Sequence, residues 1–169
     1  MTLTTCQRCN NCCTSFGVCL TIADIVRLSK ETGKKPEDFV TIIDDYHPRQ
    51  RTEPAVLLDG KHHLLVLKHN AERVCTFFNG KSCGIYKSRP YLCRTYPFTL
   101  KNGELADVQN RACTVLWYPK GKDKEKYVAD LDVYLKQIEA YSKIVDEWNS
   151  NFDGNLTDFL IFAMKKAKE

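Results

Sequence analysis

The run Cys6-Gln7-Arg8-Cys9-Asn10-Asn11-Cys12-Cys13 sets four thiols within eight residues. A hydrophobic core has no use for cysteine at that density. The other five cysteines are Cys19, just past the run, and Cys75, Cys83, Cys93 and Cys113 in the middle of the chain. Thiolate is a soft donor that selects zinc, cuprous copper or iron–sulfur clusters over hard cations. The expectation is that thiolates from the first segment and from the middle of the chain meet around metal.

The spacings narrow the chemistry without choosing one metal. Cys6-x2-Cys9-x2-Cys12 has the first three intervals of a bacterial ferredoxin run. The fourth ferredoxin position would be Phe16, so a fourth ligand has to come from elsewhere. Cys6-x2-Cys9 alone is also a zinc knuckle. Cys12 and Cys13 are adjacent, and in an extended segment neighbouring side chains point apart. That assigns them to two neighbouring sites, or to two edges of one cluster, rather than to one small ion. Eight clustered cysteines can fill two four-thiolate sites, each carrying a formal charge of about −2.

A compensating charge is present. From Arg73 to Lys101 there are six basic residues (Arg73, Lys81, Lys87, Arg89, Arg94, Lys101) and no acid. Positive charge beside a thiol lowers its pKa and favours thiolate. Arg89 and Arg94 are the non-cysteine candidates, as neighbours of the metal or as an anion site. The aromatics of the same stretch (Phe77, Phe78, Tyr86, Tyr91, Tyr96) could stack on bases. They sit where a small core needs them, and the whole chain carries only +4, which argues against nucleic acid.

The chain has 169 residues, 43% of them apolar, enough to bury a real core. The expected organisation is a cysteine-cluster domain over residues 1–119 with a helical hairpin, residues 120–169, packed on it. Nine cysteines are an odd set for a disulfide framework. Residues 1–5 show neither a basic nor an apolar signal region, and no apolar run approaches the ~20 residues of a membrane span. The expected setting is a reducing cytoplasm, where clustered cysteine points to metal or redox chemistry.

Local signals predict an α+β fold. Thr21 caps a helix with Asp24 three residues on, and Gly33 ends it. Pro36 opens a second helix with Phe39, Val40, Ile43 and Tyr46 on its apolar face, stopped by His47-Pro48. Two apolar runs, 55–58 and 63–67, flank Asp59-Gly60 as a hairpin with a turn longer than two residues. A second hairpin turns at Asn79-Gly80, setting Phe78 opposite Lys81 and Thr76 opposite Cys83. A third turns at Asn102-Gly103. Residues 119–122 read as a linker. Tyr127, Leu131, Tyr134, Ile138, Tyr141, Val145 and Trp148 then alternate four and three apart, the mark of a one-sided helix. After a turn at residues 149–154, Thr157 or Asn155 caps a last helix.

With these residues in view, the chain resembles the YkgJ-like cysteine-cluster family, described as zinc- or iron-chelating. The first signature is Cys6-x2-Cys9-x2-Cys12-Cys13 followed by Val18-Cys19-Leu20-Thr21-x2-Asp24-Ile25. The second is Cys75-x7-Cys83-Gly84-Ile85-Tyr86-x2-Arg89-Pro90-x2-Cys93-Arg94-x-Tyr96-Pro97-Phe98. Cys113 resembles the family's last cysteine, and the match covers roughly residues 6–119. The resemblance implies a ligand set of Cys6, Cys9, Cys12, Cys13, Cys75, Cys83, Cys93 and Cys113. Cys19 falls where the family often has another apolar residue, so it is expected as a small buried side chain, with a metal ligand as the alternative. A similar cluster in flagellin lysine methylases is associated with an iron–sulfur cluster. Those enzymes are much longer, and this chain has no glycine-rich fingerprint for S-adenosylmethionine.

The functional expectation is a cysteine-ligated metal protein, with a [4Fe-4S] cluster and a redox or enzyme-accessory role. The alternatives are a protein-binding module stapled by one or two zinc ions, and a metal-trafficking or sensing protein. Partners would be another protein or a small substrate, or a second copy through the C-terminal helices. Histidines are weaker signals: His62 and His63 face opposite sides of a strand, His47 precedes a proline and His69 lies near a turn. No Ser/His/Asp arrangement, HExxH or P-loop is present.

Overall fold

The computed structural model describes residues 4, 6–15, 17–45, 52–108, 112–113 and 116–168. Eleven elements follow one another: α1 (Cys12–Ser15), α2 (Ile22–Thr32), α3 (Pro36–Phe39), β1 (Val40–Asp44), β2 (Val56–Leu58), β3 (Lys61–Leu67), α4 (Tyr91–Thr95), β4 (Phe98–Lys101), β5 (Glu104–Asp107), α5 (Lys122–Asn151) and α6 (Leu156–Lys166). The class is α+β, with small antiparallel sheets and a C-terminal helical hairpin. Among the described residues no helix is long and apolar enough to cross a membrane. The chain forms two compact units: Met1–Phe16 with His69–Leu135, and Gly17–Lys68 with Lys136–Glu169.

The second of these units is built on a three-stranded sheet in the order β1-β3-β2. Its hairpin turns in two residues, since Leu58 faces Lys61 directly. Asp59 and Gly60 both have positive φ, 48° and 77°, which is what a tight right-twisting hairpin turn requires. The expected longer turn is therefore corrected. Residues 40–44 correct a larger expectation. The helix from Pro36 lasts one turn, and the β-branched run Val40-Thr41-Ile42-Ile43 continues as a strand against β3. Branching at Cβ restricts χ1 in a helix and suits the pleated surface of a sheet. Tyr46 and His47-Pro48, invoked to finish that helix, lie outside the described residues.

α2 starts and stops where its sequence says. Thr21 Oγ1 accepts from Asp24 N–H, Asp24 Oδ2 accepts from Thr21 N–H, and Gly33 ends the helix at φ 68°. The apolar stripe of α5 buries Ile138, Tyr141, Val145 and Trp148. That helix runs on to Asn151, so the turn expected from residue 149 begins only after it. The extra length has a use. Asn149 donates to Ala55 O at 2.9 Å and accepts from Leu57 N–H at 2.8 Å, while Trp148 Nε1 donates to Leu57 O at 2.8 Å. Side chains of a helix thus satisfy an outer edge of β2 that would otherwise be left unpaired. Asn155, not Thr157, caps α6 and accepts from Thr157 N–H and Asp158 N–H.

In the other unit, β4 and β5 form a two-stranded hairpin across Asn102 and Gly103, again both at positive φ. Phe98, Leu105, Trp117 and Leu131 make a small core beneath it. Phe98 meets Trp117 edge-to-face with ring centroids 4.8 Å apart, and Tyr118 OH donates to Leu105 O at 2.6 Å.

Candidate metal centre

The Asn79-Gly80 stretch does not form the expected hairpin. Phe78 faces Cys83 in a single bridge, so four residues intervene instead of two. Asn79 explains the difference: its side-chain oxygen accepts from Lys81 N–H (3.1 Å) and Ser82 N–H (2.8 Å). That local turn competes with a tight backbone hairpin. Phe78 N–H donates to Cys75 O and Gly84 N–H to Phe77 O, which closes the loop between Cys75 and Cys83. A Cβ at position 84 would stand 3.2 Å from Phe77 O, so the residue after Cys83 has reason to be glycine.

Cys93 lies in α4, just beyond Pro90. Arg89 and Arg94 wire the loop that leads there. Arg89 donates to Tyr86 O and Cys93 O, and Arg94 donates to Arg89 O (3.0 Å) and Lys87 O (2.8 Å). The Arg89 guanidinium also lies 3.8 Å from the centroid of the Tyr86 ring, and that of Arg8 lies 4.4 Å from the same centroid. Two cations thus share one aromatic ring. These side chains, with Cys6 and the Lys126–Tyr127 wall of α5, line a cleft of about 450 Å³.

The opening run is held against this frame by the protein's own hydrogen bonds. Asn10 donates to Lys81 O, Asn11 to Ala112 O, and Cys75 N–H to Cys13 O. Each anchor falls within two residues of a cysteine of the expected set, namely Cys83, Cys113 and Cys75. Tyr96 OH accepts from Ala112 N–H, which ties the segment before Cys113 to the second signature. Arg8 and Asn10 adopt positive φ, 52° and 62°. Asn tolerates that region better than most residues, and its side chain here also reaches across to Lys81. Asn10 and Asn11 were missed from the sequence. The signal was available, since an Asn pair inside a ligand run can bend and anchor the chain.

Cys12 and Cys13 correct another expectation. They lie in the one-turn helix α1, not in an extended segment, and their thiols hydrogen-bond to each other. The Cys13 thiol, donating to Cys12, brings Cys12 down to about 7 against the opposing effect of burial, and Arg89 adds to the lowering. The same bond holds the proton on Cys13, as do burial and the charges of Cys12, Cys75 and Cys93. Burial pushes Cys75 and Cys83 up, with further repulsion from neighbouring thiols. Cys13 therefore feels the charges of Cys12, Cys75 and Cys93, and Cys75 and Cys83 both feel that of Cys12.

The remaining candidates are placed less centrally. Cys6 and Cys9 are exposed, and Cys113 is half-buried. The charge of Cys6 reaches Tyr127, whose hydroxyl is pushed up mainly by burial. Cys19 belongs to the other unit, where its backbone pairs with Val66, and it is half-buried rather than buried as expected. His62 and His63 are also in that unit, His63 Nδ1 lying 3.1 Å from Asp44 Oδ1. His47 lies outside the described residues. Among the described residues, no three His, Cys, Asp or Glu side chains converge closely enough to hold one ion. The thiols are gathered but not closed around a point. Once ionised the thiolates repel, and each raises the cost of ionising the next. A soft cation would offset that repulsion as protons leave, so the donor set suits a thiolate-bound metal.

A family model matches residues 5–116, the CxxCxxCC "Putative zinc- or iron-chelating domain". The chain belongs to the CxxCxxCC family. No curated protein and no solved structure matches it. The matched span holds both cysteine signatures and ends three residues past Cys113. It supports metal binding by the cysteine cluster and leaves α5 and α6 outside. In this family member the polar anchors at Asn10 and Asn11 and the loop wiring by Arg89 and Arg94 are what the structure adds.

Proposed function

We propose that the chain binds an iron–sulfur cluster of the [4Fe-4S] type and serves a redox or enzyme-accessory role. The number of thiols in one neighbourhood, Cys12, Cys13, Cys75, Cys83 and Cys93, supports this reading, because five are more than one zinc ion takes. Cys6 and Cys9 continue the run, and Cys113 completes the set of eight. Bound by these thiolates, the cluster would supply electron transfer. Arg89 offsets negative charge at Cys12 and Cys83. The cleft beside Cys6 offers a small substrate charged groups of both signs, Arg8, Arg89 and Arg94 together with Asp123 and Asp130. Anaerobically purified protein should be brown, with iron matched by acid-labile sulfide. Colourless protein with stoichiometric zinc would sink the proposal.

The closed loop between Cys75 and Cys83 favours a second reading, a zinc-stapled protein-binding module without chemistry. It expects one or two tightly held zinc ions and no redox activity. Protein that changes its absorption on reduction and holds no zinc rules it out.

A further inference from the structure

His69 opens the loop that leads to Cys75, and the two residues face each other in an antiparallel bridge. Asn70 N–H donates to Val74 O just inside the pair, at 2.8 Å. Cys75 N–H is directed elsewhere, to Cys13 O at 2.9 Å. His69 and Cys75 are therefore a non-hydrogen-bonded pair. In such a pair the opposed side chains share one face and approach most closely, with Cα atoms about 4.5 Å apart. The pairing sets His69 on the same face as the buried Cys75, in the compact unit that holds eight of the nine cysteines.

The Nε2 atom of His69 is buried and has no hydrogen-bond partner among the described residues. Leaving a buried polar atom unsatisfied costs about 1–3 kcal/mol. Neutral imidazole has one nitrogen with a free lone pair, and that nitrogen is a good ligand for zinc and iron alike. A neutral ligand also suits a place crowded with thiolates. Exchanging one thiolate for imidazole removes one negative charge from the centre while keeping the number of ligands.

We propose that His69 Nε2 is a nitrogen ligand of the metal held by the gathered thiols, next to Cys75. The proposal rests on the metal-binding reading but not on the choice between iron–sulfur and zinc. It makes the centre a mixed nitrogen–sulfur site. It also gives a role to a residue that lies outside both cysteine signatures.

The test is X-ray absorption at the edge of whichever metal elemental analysis finds in the anaerobically purified full chain. The expected result is a sulfur shell together with the outer-shell scattering of one imidazole. For zinc these would be sulfur at about 2.3 Å and nitrogen at about 2.0–2.1 Å. His69→Ala should lose the imidazole pattern and bind metal at least tenfold more weakly against a chromophoric chelator. His69→Cys should recover affinity with an all-sulfur shell. His62→Ala, at an exposed position on β3, should match the wild type. An all-sulfur shell in the wild-type protein, or an imidazole pattern that survives in His69→Ala, overturns the proposal. Protein that binds no metal overturns the metal reading with it, whereas metal in an all-sulfur shell overturns this inference alone.

Discussion

In the unit built on β1, β2 and β3, the interior is filled by Leu20, Ile25, Leu28, Phe39, Tyr141 and Phe159, each no more than 1% exposed. In the unit that carries the thiols, the core cluster is Phe98, Leu105, Trp117 and Leu131. Apart from the β4–β5 hairpin and the first part of α5, that unit is short helices and single bridges, stitched by Asn, Arg and Tyr side chains to main-chain groups. Hydrophobic burial of about 25 cal/mol per Å² is a sufficient reason for the first arrangement. It is a thin reason for the second. The contrast teaches that one unit is specified by exclusion of water, and that the other leans on polar stitching around its thiols.

Metal removal tests that contrast most severely. Structural zinc contributes about 10–16 kcal/mol in zinc-finger peptides, and a unit with a core of its own should depend on metal less than they do. Hydrogen exchange after chelation should show residues 69–93 losing protection while β3 and α6 keep theirs. If both regions exchange as before, metal is not what organises the thiol-bearing unit. If both collapse together, the two units do not differ in the way their interiors suggest.

A core substitution works from the other side. Phe159 is fully buried and packs edge-to-face on Trp148. Phe159→Ala should cost about 3–5 kcal/mol by urea unfolding, with the metal content per folded protein unchanged. Phe98→Ala removes an aromatic from the thiol-bearing unit and should lower metal content as well as stability. Equal loss of metal in both variants would break the comparison.

The thiols also give the metal-free protein a pH profile. Cys12 is held at about 7, below its ordinary 9.0, and Cys13, Cys75 and Cys83 are held above it. A lowered thiol pKa adds stability that is complete above 9 and is lost as pH falls through 7. A raised one adds stability that is complete below 9 and is lost as pH climbs towards the folded value. Stability of metal-free protein should therefore rise from pH 7 to 9 and fall beyond it. Cys12→Ser should remove the rise and keep the fall, as read from urea midpoints across that range.

What could be read from the sequence divides along the same line. The cap at Thr21, the stop at Gly33, the turns at Asp59-Gly60 and Asn102-Gly103 and the stripe of α5 all follow from local chemistry, and the structure has each of them. Residues 40–44 carry apolar spacing that suits a helix and a β-branched run that suits a strand, and pairing with β3 decides for the strand. Around the thiols the local rules ran out sooner. Asn79 made a side-chain turn where a backbone hairpin was expected, and Cys12 and Cys13 took helical geometry that no spacing implies. The partners of Asn10 and Asn11 are set by contacts between distant segments, and one chain read in order does not contain them.

The smallest effect concerns the best-read feature. Thr21 Oγ1 accepts from Asp24 N–H at 3.2 Å and lies within hydrogen-bond reach of Asp24 Oδ2 (3.0 Å) and Gln137 Oε1 (3.2 Å). A hydroxyl has one proton, so it can donate fully to only one of the two. Asp24 is itself buried and paired with Arg27, which holds its carboxylate in place whichever way the hydroxyl turns. The cap therefore rests mainly on the accepting role of Oγ1. Thr21→Ala should cost about 1–2 kcal/mol, and Thr21→Ser much less, because serine keeps the oxygen. Metal content should be untouched in both, since Thr21 belongs to the unit that water exclusion already specifies. A fall in bound metal on Thr21→Ala would mean that the start of α2 governs the cysteine run before it, and that the two interiors are not independent.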